Sequence, residues 1–240
     1  MLYGGFALSV LSTERAARIS LGVPIVDDVY PGFEPGDYGV LYGDEASTAI
    51  FLLCVRSAMP PAAGGLGSPV VIVDGGNSFN PYLVADFARR HGLEPREVLK
   101  KIYVSRAFTA YQLYSLIMER VEPFLEGLNA RLLVVSDVTS LFLDRDMPKI
   151  EAEELFVKVC SKLSDIASDK KVVVLATYHA DGRSRRSLFL EAVLFGRCSV
   201  LIKFERKGRF LRFALQDHPH IKPFTLDLKL ENSLRKYLEV

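Results

Sequence analysis

Tryptophan is absent from this 240-residue sequence, cysteine occurs three times, and no lysine precedes Lys100. Cys54, Cys160 and Cys198 are scattered, odd in number and never in a Cys-x-x-Cys pair, which argues against a disulfide framework and a zinc ribbon. His218 and His220 flank Pro219 with no third or fourth ligand at suitable spacing, so a plain loop is expected and no metal. No apolar run reaches the length that spans a bilayer, and Met1-Leu2-Tyr3-Gly4-Gly5-Phe6 carries no basic residue ahead of an apolar stretch. The expectation is a cytoplasmic protein with no membrane partner. Neither charge is in excess, since 30 Lys and Arg face 29 Asp and Glu for a net +1, and any basic surface has to be local.

What is present is apolar: hydrophobic residues make up 49% of the chain, enough for one large α/β domain. Residues 39–43, 70–74, 132–136 and 172–176 are short, mostly β-branched runs that read as strands buried on both faces, as in a parallel sheet. Between them, 82–91, 111–126 and 151–167 carry apolar residues at helical spacing. Such alternation predicts right-handed crossovers and a three-layer, doubly wound fold. After about residue 198 the pattern changes, and 198–205 and 209–215 around Arg206-Lys207-Gly208 read as an antiparallel hairpin that extends the sheet. Cys54, inside Phe51-Leu52-Leu53-Cys54-Val55, reads as a small core residue. The chain divides into an N-terminal segment (1–17), a core (18–228) and a short amphipathic tail (229–240).

Three stretches carry a family resemblance. Arg18-Ile19-Ser20-Leu21-Gly22 is followed by Gly32-Phe33-Glu34-Pro35-Gly36, residues 92–108 run from Gly92-Leu93-Glu94-Pro95-Arg96 to Ser105-Arg106-Ala107-Phe108, and Asp217-His218-Pro219 comes late. In this order they resemble the archaeal RadA recombinases of the RecA superfamily, collinear over residues 18–228. The resemblance implies a RecA-like core, mostly parallel with a C-terminal antiparallel hairpin. It also implies ATP, Mg²⁺, single-stranded DNA and neighbouring recombinase subunits as the ligands of that core. The helix-hairpin-helix domain that precedes the core in RadA is expected to be absent, because only 17 residues come before Arg18.

Four parts of that family's chemistry are altered. A phosphate loop needs G-x-x-x-x-G-K-[ST], so that backbone N–H groups, a lysine and a metal-binding hydroxyl meet the phosphates. The matching stretch is Gly43-Asp44-Glu45-Ala46-Ser47-Thr48-Ala49-Ile50, with Thr48, Ala49 and Ile50 where glycine, lysine and hydroxyl belong. Asp44 and Glu45 add negative charge near a helix start that would otherwise attract phosphate. The water-activating glutamate corresponds to Gly76 in Asp74-Gly75-Gly76. The magnesium-shell aspartate corresponds to Ser136, with Asp137 displaced by one position and expected on the opposite strand face. The glutamine that reads the γ-phosphate corresponds to His179. The expectation is a vestigial nucleotide site, packed or solvated, with no cofactor and no catalytic residue.

Two further segments matter for partners. Asp181-Gly182-Arg183-Ser184-Arg185-Arg186-Ser187 falls where recombinases carry a DNA-contacting loop, and Arg183, Arg185 and Arg186 suit phosphate contacts; a solvated or protein-contact loop is the alternative. Tyr3 and Phe6 stand where the resemblance implies a Phe-x-x-Ala docking segment, but Phe6 puts a bulky ring where a methyl fits, so a strand packed on its own core is the preferred reading. The function expected from all this is a catalytically inactive RadA paralog that modulates homologous recombination or DNA repair by binding DNA, a recombinase, or both. The alternatives are a RecA-like scaffold subunit in a non-DNA assembly and a residual ATPase with a rebuilt site.

Overall fold

The computed structural model describes residues 17–179 and 184–229. Its eight strands are β1 (Tyr38–Tyr42), β2 (Val70–Asp74), β3 (Ile102–Arg106), β4 (Leu132–Ser136), β5 (Val173–Tyr178), β6 (Val200–Lys207), β7 (Phe210–Asp217) and β8 (Phe224–Lys229). They form one sheet in the order β3-β2-β4-β5-β1-β6-β7-β8. Neighbours are parallel from β3 through β6, and β6-β7-β8 are antiparallel. The helices are α1 (Pro24–Asp27), α2 (Ala46–Ser57), α3 (Pro81–Arg90), α4 (Pro95–Leu99), α5 (Ala110–Ser115), α6 (Val121–Leu128), α7 (Lys149–Lys170) and α8 (Arg185–Phe195), with a π turn at Leu116–Arg120 joining α5 to α6.

The parallel strands are apolar on both sides because helices cover both. In β2, Val70 and Ile72 point into one core cluster with α2 and α3, while Val71 and Val73 point into the other with the α5-to-α8 layer. α2 is apolar almost all round, with Ala46 and every residue from Ala49 to Ser57 buried, as expected of a helix enclosed by its surroundings. Cys54 lies in that core, where burial pushes its thiol up to about 12. Asn80 caps α3 by accepting from the N–H groups of Tyr82 and Leu83, with Pro81 fixing the first helical φ.

The C-terminal region differs from the expected hairpin in two ways. β6 continues through Arg206 and Lys207, so the turn falls at Gly208, φ +57°, and Arg209. A third strand, β8, pairs with β7 and runs to Lys229, one residue past the boundary read from the sequence. Among the described residues no helix is long and apolar enough to cross a membrane.

Candidate functional site

In a sheet of this kind ligands bind beyond the carboxyl ends of the strands. The neighbours β2, β4, β5 and β1 bring four connections together there. The connection from β1 to α2 is only Gly43-Asp44-Glu45. Gly43 has φ +96°, and a Cβ on it would lie 2.1 Å from the carbonyl oxygen of Phe204 in β6, so only glycine fits. A working phosphate loop leaves its glycine-rich stretch open between strand and helix. Here the helix already starts at Ala46, and the N–H of Ala46 is used by the carbonyl of Gly43.

The start of α2 is occupied by the chain's own groups. Asp44 Oδ2 accepts from the backbone N–H of Arg206 at 3.2 Å, and Glu45 Oε1 lies 3.4 Å from the Arg206 guanidinium. Glu45 Oε2 accepts from the Thr48 hydroxyl at 2.9 Å. Ser47 is half-buried, while Ala46, Ala49 and Ile50 are buried. Ala49 lines a small apolar cavity together with Val23, Leu52, Phe87 and Phe204. The positions that would offer ammonium and hydroxyl to a nucleotide therefore contribute apolar packing.

At the end of β2, Asp74 is fully buried and accepts from the N–H groups of Ser78 (3.0 Å) and Phe79 (3.1 Å) and from the Ser136 hydroxyl (2.9 Å). Asp74 thus ties the turn after β2 to the end of β4, and Ser136 is committed to it. Arg106 Nε stands 3.8 Å from the same carboxylate.

Asp137 requires a correction. It is not turned to the far face of a continuing strand, because β4 ends at Ser136 and Asp137 takes a left-handed backbone conformation, φ +50°. Its N–H donates to Thr177 Oγ1 at 2.8 Å, and its Oδ1 lies 3.8 Å from Nδ1 of the half-exposed His179. A Cβ on Gly76 would meet Asp137 Cβ at 2.7 Å and Oδ2 at 2.9 Å. The Asp137 carboxyl fills the space that a side chain at 76 would need. Gly76, Asp137 and His179 are therefore brought together, with Thr177 as an unforeseen fourth member.

The arginine segment also differs from expectation. Ser184 caps α8 by accepting from the N–H of Ser187, and Arg185 and Arg186 form its first turn instead of a loop. Helix capping by serine outweighs the Gly/Ser composition that suggests a loop. Arg186 Nη1 donates to the carbonyl oxygens of Asp144 (2.9 Å) and Met147 (3.2 Å), so it grips a neighbouring turn, while Arg185 is exposed. Arg183, Tyr3 and Phe6 lie outside the described residues. His218 Nδ1 accepts from the N–H groups of His220 and Ile221, a turn-closing arrangement.

These residues do not fit a magnesium nucleotide. The Arg206 guanidinium beside the loop is held by Glu45, and Ala49, Ile50 and Gly76 offer no ammonium, hydroxyl or carboxylate at the positions the family uses. The strand order and the position of the site nevertheless define a RecA-like core. A Rad51 family model matches residues 15–187, well over half of the sequence. The chain belongs to the Rad51 family of RecA-superfamily, recombinase-like proteins.

Proposed function

We propose that this chain is a Rad51-family member that does not turn over ATP and acts in recombination or DNA repair by binding DNA, a recombinase, or both. The observation that carries this reading is the plugged start of α2. A phosphate placed there meets the Asp44 and Glu45 carboxylates, already engaged by Arg206 and Thr48, instead of open N–H groups and a lysine. Ala49, Ile50 and Gly76 supply no charge clamp, metal ligand or water activator, and losing one strong transition-state stabiliser costs orders of magnitude. Release of radiolabelled phosphate should stay at background with or without DNA. Turnover that survives repurification and disappears on changing residues 43–50 would overturn the reading. Calorimetry with a non-hydrolysable analogue tests binding separately.

A residual ATPase is the second reading, and Asp137 favours it, because its carboxyl stands beside Gly76, where the family's glutamate acts. Turnover abolished by Asp137→Asn would establish it. For the partner, support comes from β3, which is an edge strand of the sheet among the described residues and suits pairing with an added strand. Beside it runs a groove lined by Val71, Val73, Leu116, Val121 and Phe124.

A further inference from the structure

β7 and β8 have helices on one side only, whereas β6 also sends Leu201 into the second core. Leu211, Phe213, Leu215 and Leu228 point into the α2–α3 core, whereas no residue of β7 or β8 belongs to the second core cluster. Among the described residues the outer part of the opposite face is exposed at Lys207, Phe210, Thr225, Asp227 and Lys229 and half-buried at Glu205 and Arg212. Lys207 pairs with Phe210 and Phe210 with Lys229, so these three side chains form one row across that face, with strands about 4.8 Å apart. Phe210 is 39% exposed, both lysines are exposed, and Arg209 stands in the adjacent turn. In the next row inward, Glu205, Arg212 and Asp227, Arg212 grips Asp227 at 2.7 and 2.8 Å and Glu205 is held by Lys203 and Lys207. Lys207 reaches Glu205 at 3.2 Å, while Arg209 and Lys229 have no ion-pair partner among the described residues. The outermost row and the turn are therefore cationic around one exposed ring.

We propose that this face holds single-stranded nucleic acid, with a base stacked on Phe210 and the flanking phosphates on Lys207, Lys229 and Arg209. A ring between cations is what an unpaired base and its phosphates require, whereas a duplex hides its base faces and an acidic peptide has no use for the ring. The proposal rests on the reading that the protein works on nucleic acid, and it places a contact apart from the start of α8.

The test is fluorescence anisotropy of labelled oligothymidylate with the full chain, alongside a polyglutamate of similar length. Phe210→Leu, which keeps apolar bulk and loses the ring face, should weaken oligothymidylate binding roughly tenfold, with Phe210→Tyr near wild type. Lys207→Gln with Lys229→Gln should flatten the slope of log affinity against log salt by about 1.4. Phe210→Leu binding like wild type while Arg185→Ala binds weakly would sink this proposal and leave the DNA reading intact. Polyglutamate binding as tightly as the oligonucleotide, indifferent to Phe210→Leu, would reduce the face to a general anion patch and overturn it. No nucleic-acid binding by the wild type would remove both.

Discussion

At position 49 a restored lysine would not meet a phosphate. The early start of α2 turns that position toward an apolar cavity bounded by Val23, Leu52, Phe87 and Phe204, whose one charged lining residue, Glu45, is already engaged by Thr48 and Arg206. Ala49→Lys should therefore lower stability by about 2 kcal/mol or more, read by urea unfolding, and should yield no ATPase activity even combined with Ile50→Thr. Position 76 behaves similarly for a different reason. Gly76→Glu puts its Cβ within 2.7 Å of Asp137 Cβ, so it should destabilise the fold, and Asp137→Gly should recover much of that loss. A double-mutant cycle that is additive within about 0.5 kcal/mol would mean that the two positions do not compete for one space.

Among the elements, α8 is where sequence and structure part most usefully. Its first turn separates two adjacent arginines into different jobs. Arg186→Ala should cost about 1–3 kcal/mol and speed proteolysis near residues 144–147, because two carbonyls lose their donor. Arg185→Ala should leave unfolding unchanged and, if α8 meets single-stranded DNA, flatten the salt dependence by about 0.7. Equal effects of both changes on stability would contradict the division. The inner parallel strands β1, β2, β4 and β5 were legible because burial on both faces forces apolar runs such as Val70-Val71-Ile72-Val73, whereas the half-exposed edge strand β3 was not among the runs so read. β8 carried a strand signal that was passed over: Phe224-Thr225-Leu226-Asp227-Leu228-Lys229 alternates strictly between apolar and polar, as a strand with one buried face does. The residue types around the start of α2 stand in the sequence itself. The closure of that start does not: nothing near Arg206 in sequence reveals that β6 lies beside β1 and brings this guanidinium to Glu45. Nor does the strand parity of Asp137 reveal that the strand stops one residue earlier.

On the scale of the whole molecule, the question is whether copies of this chain assemble under nucleotide control. An ATP-gated filament needs a γ-phosphate read across a subunit boundary, and on the proposed reading the start of α2, where Thr48 and Arg206 engage Glu45, does not hold one. The sheet still has the strand order of a recombinase core and an open edge at β3, so a single face suffices to join or cap a recombinase assembly. Electron microscopy of the protein alone with single-stranded DNA and ATP should show no regular filaments. Mixed at low ratio with a RadA-type recombinase, it should change the length or number of the recombinase filaments. Filaments of this chain alone, lengthened by ATP, would refute the capping idea.

The contact between Gly76 and Asp137 also bears on ancestry. While Asp137 holds its place, every side chain larger than hydrogen at 76 is penalised, so a glutamate cannot enter at 76 in one step. The pair works as a ratchet: retreat begins at Asp137, a change that brings no catalytic reward until position 76 follows.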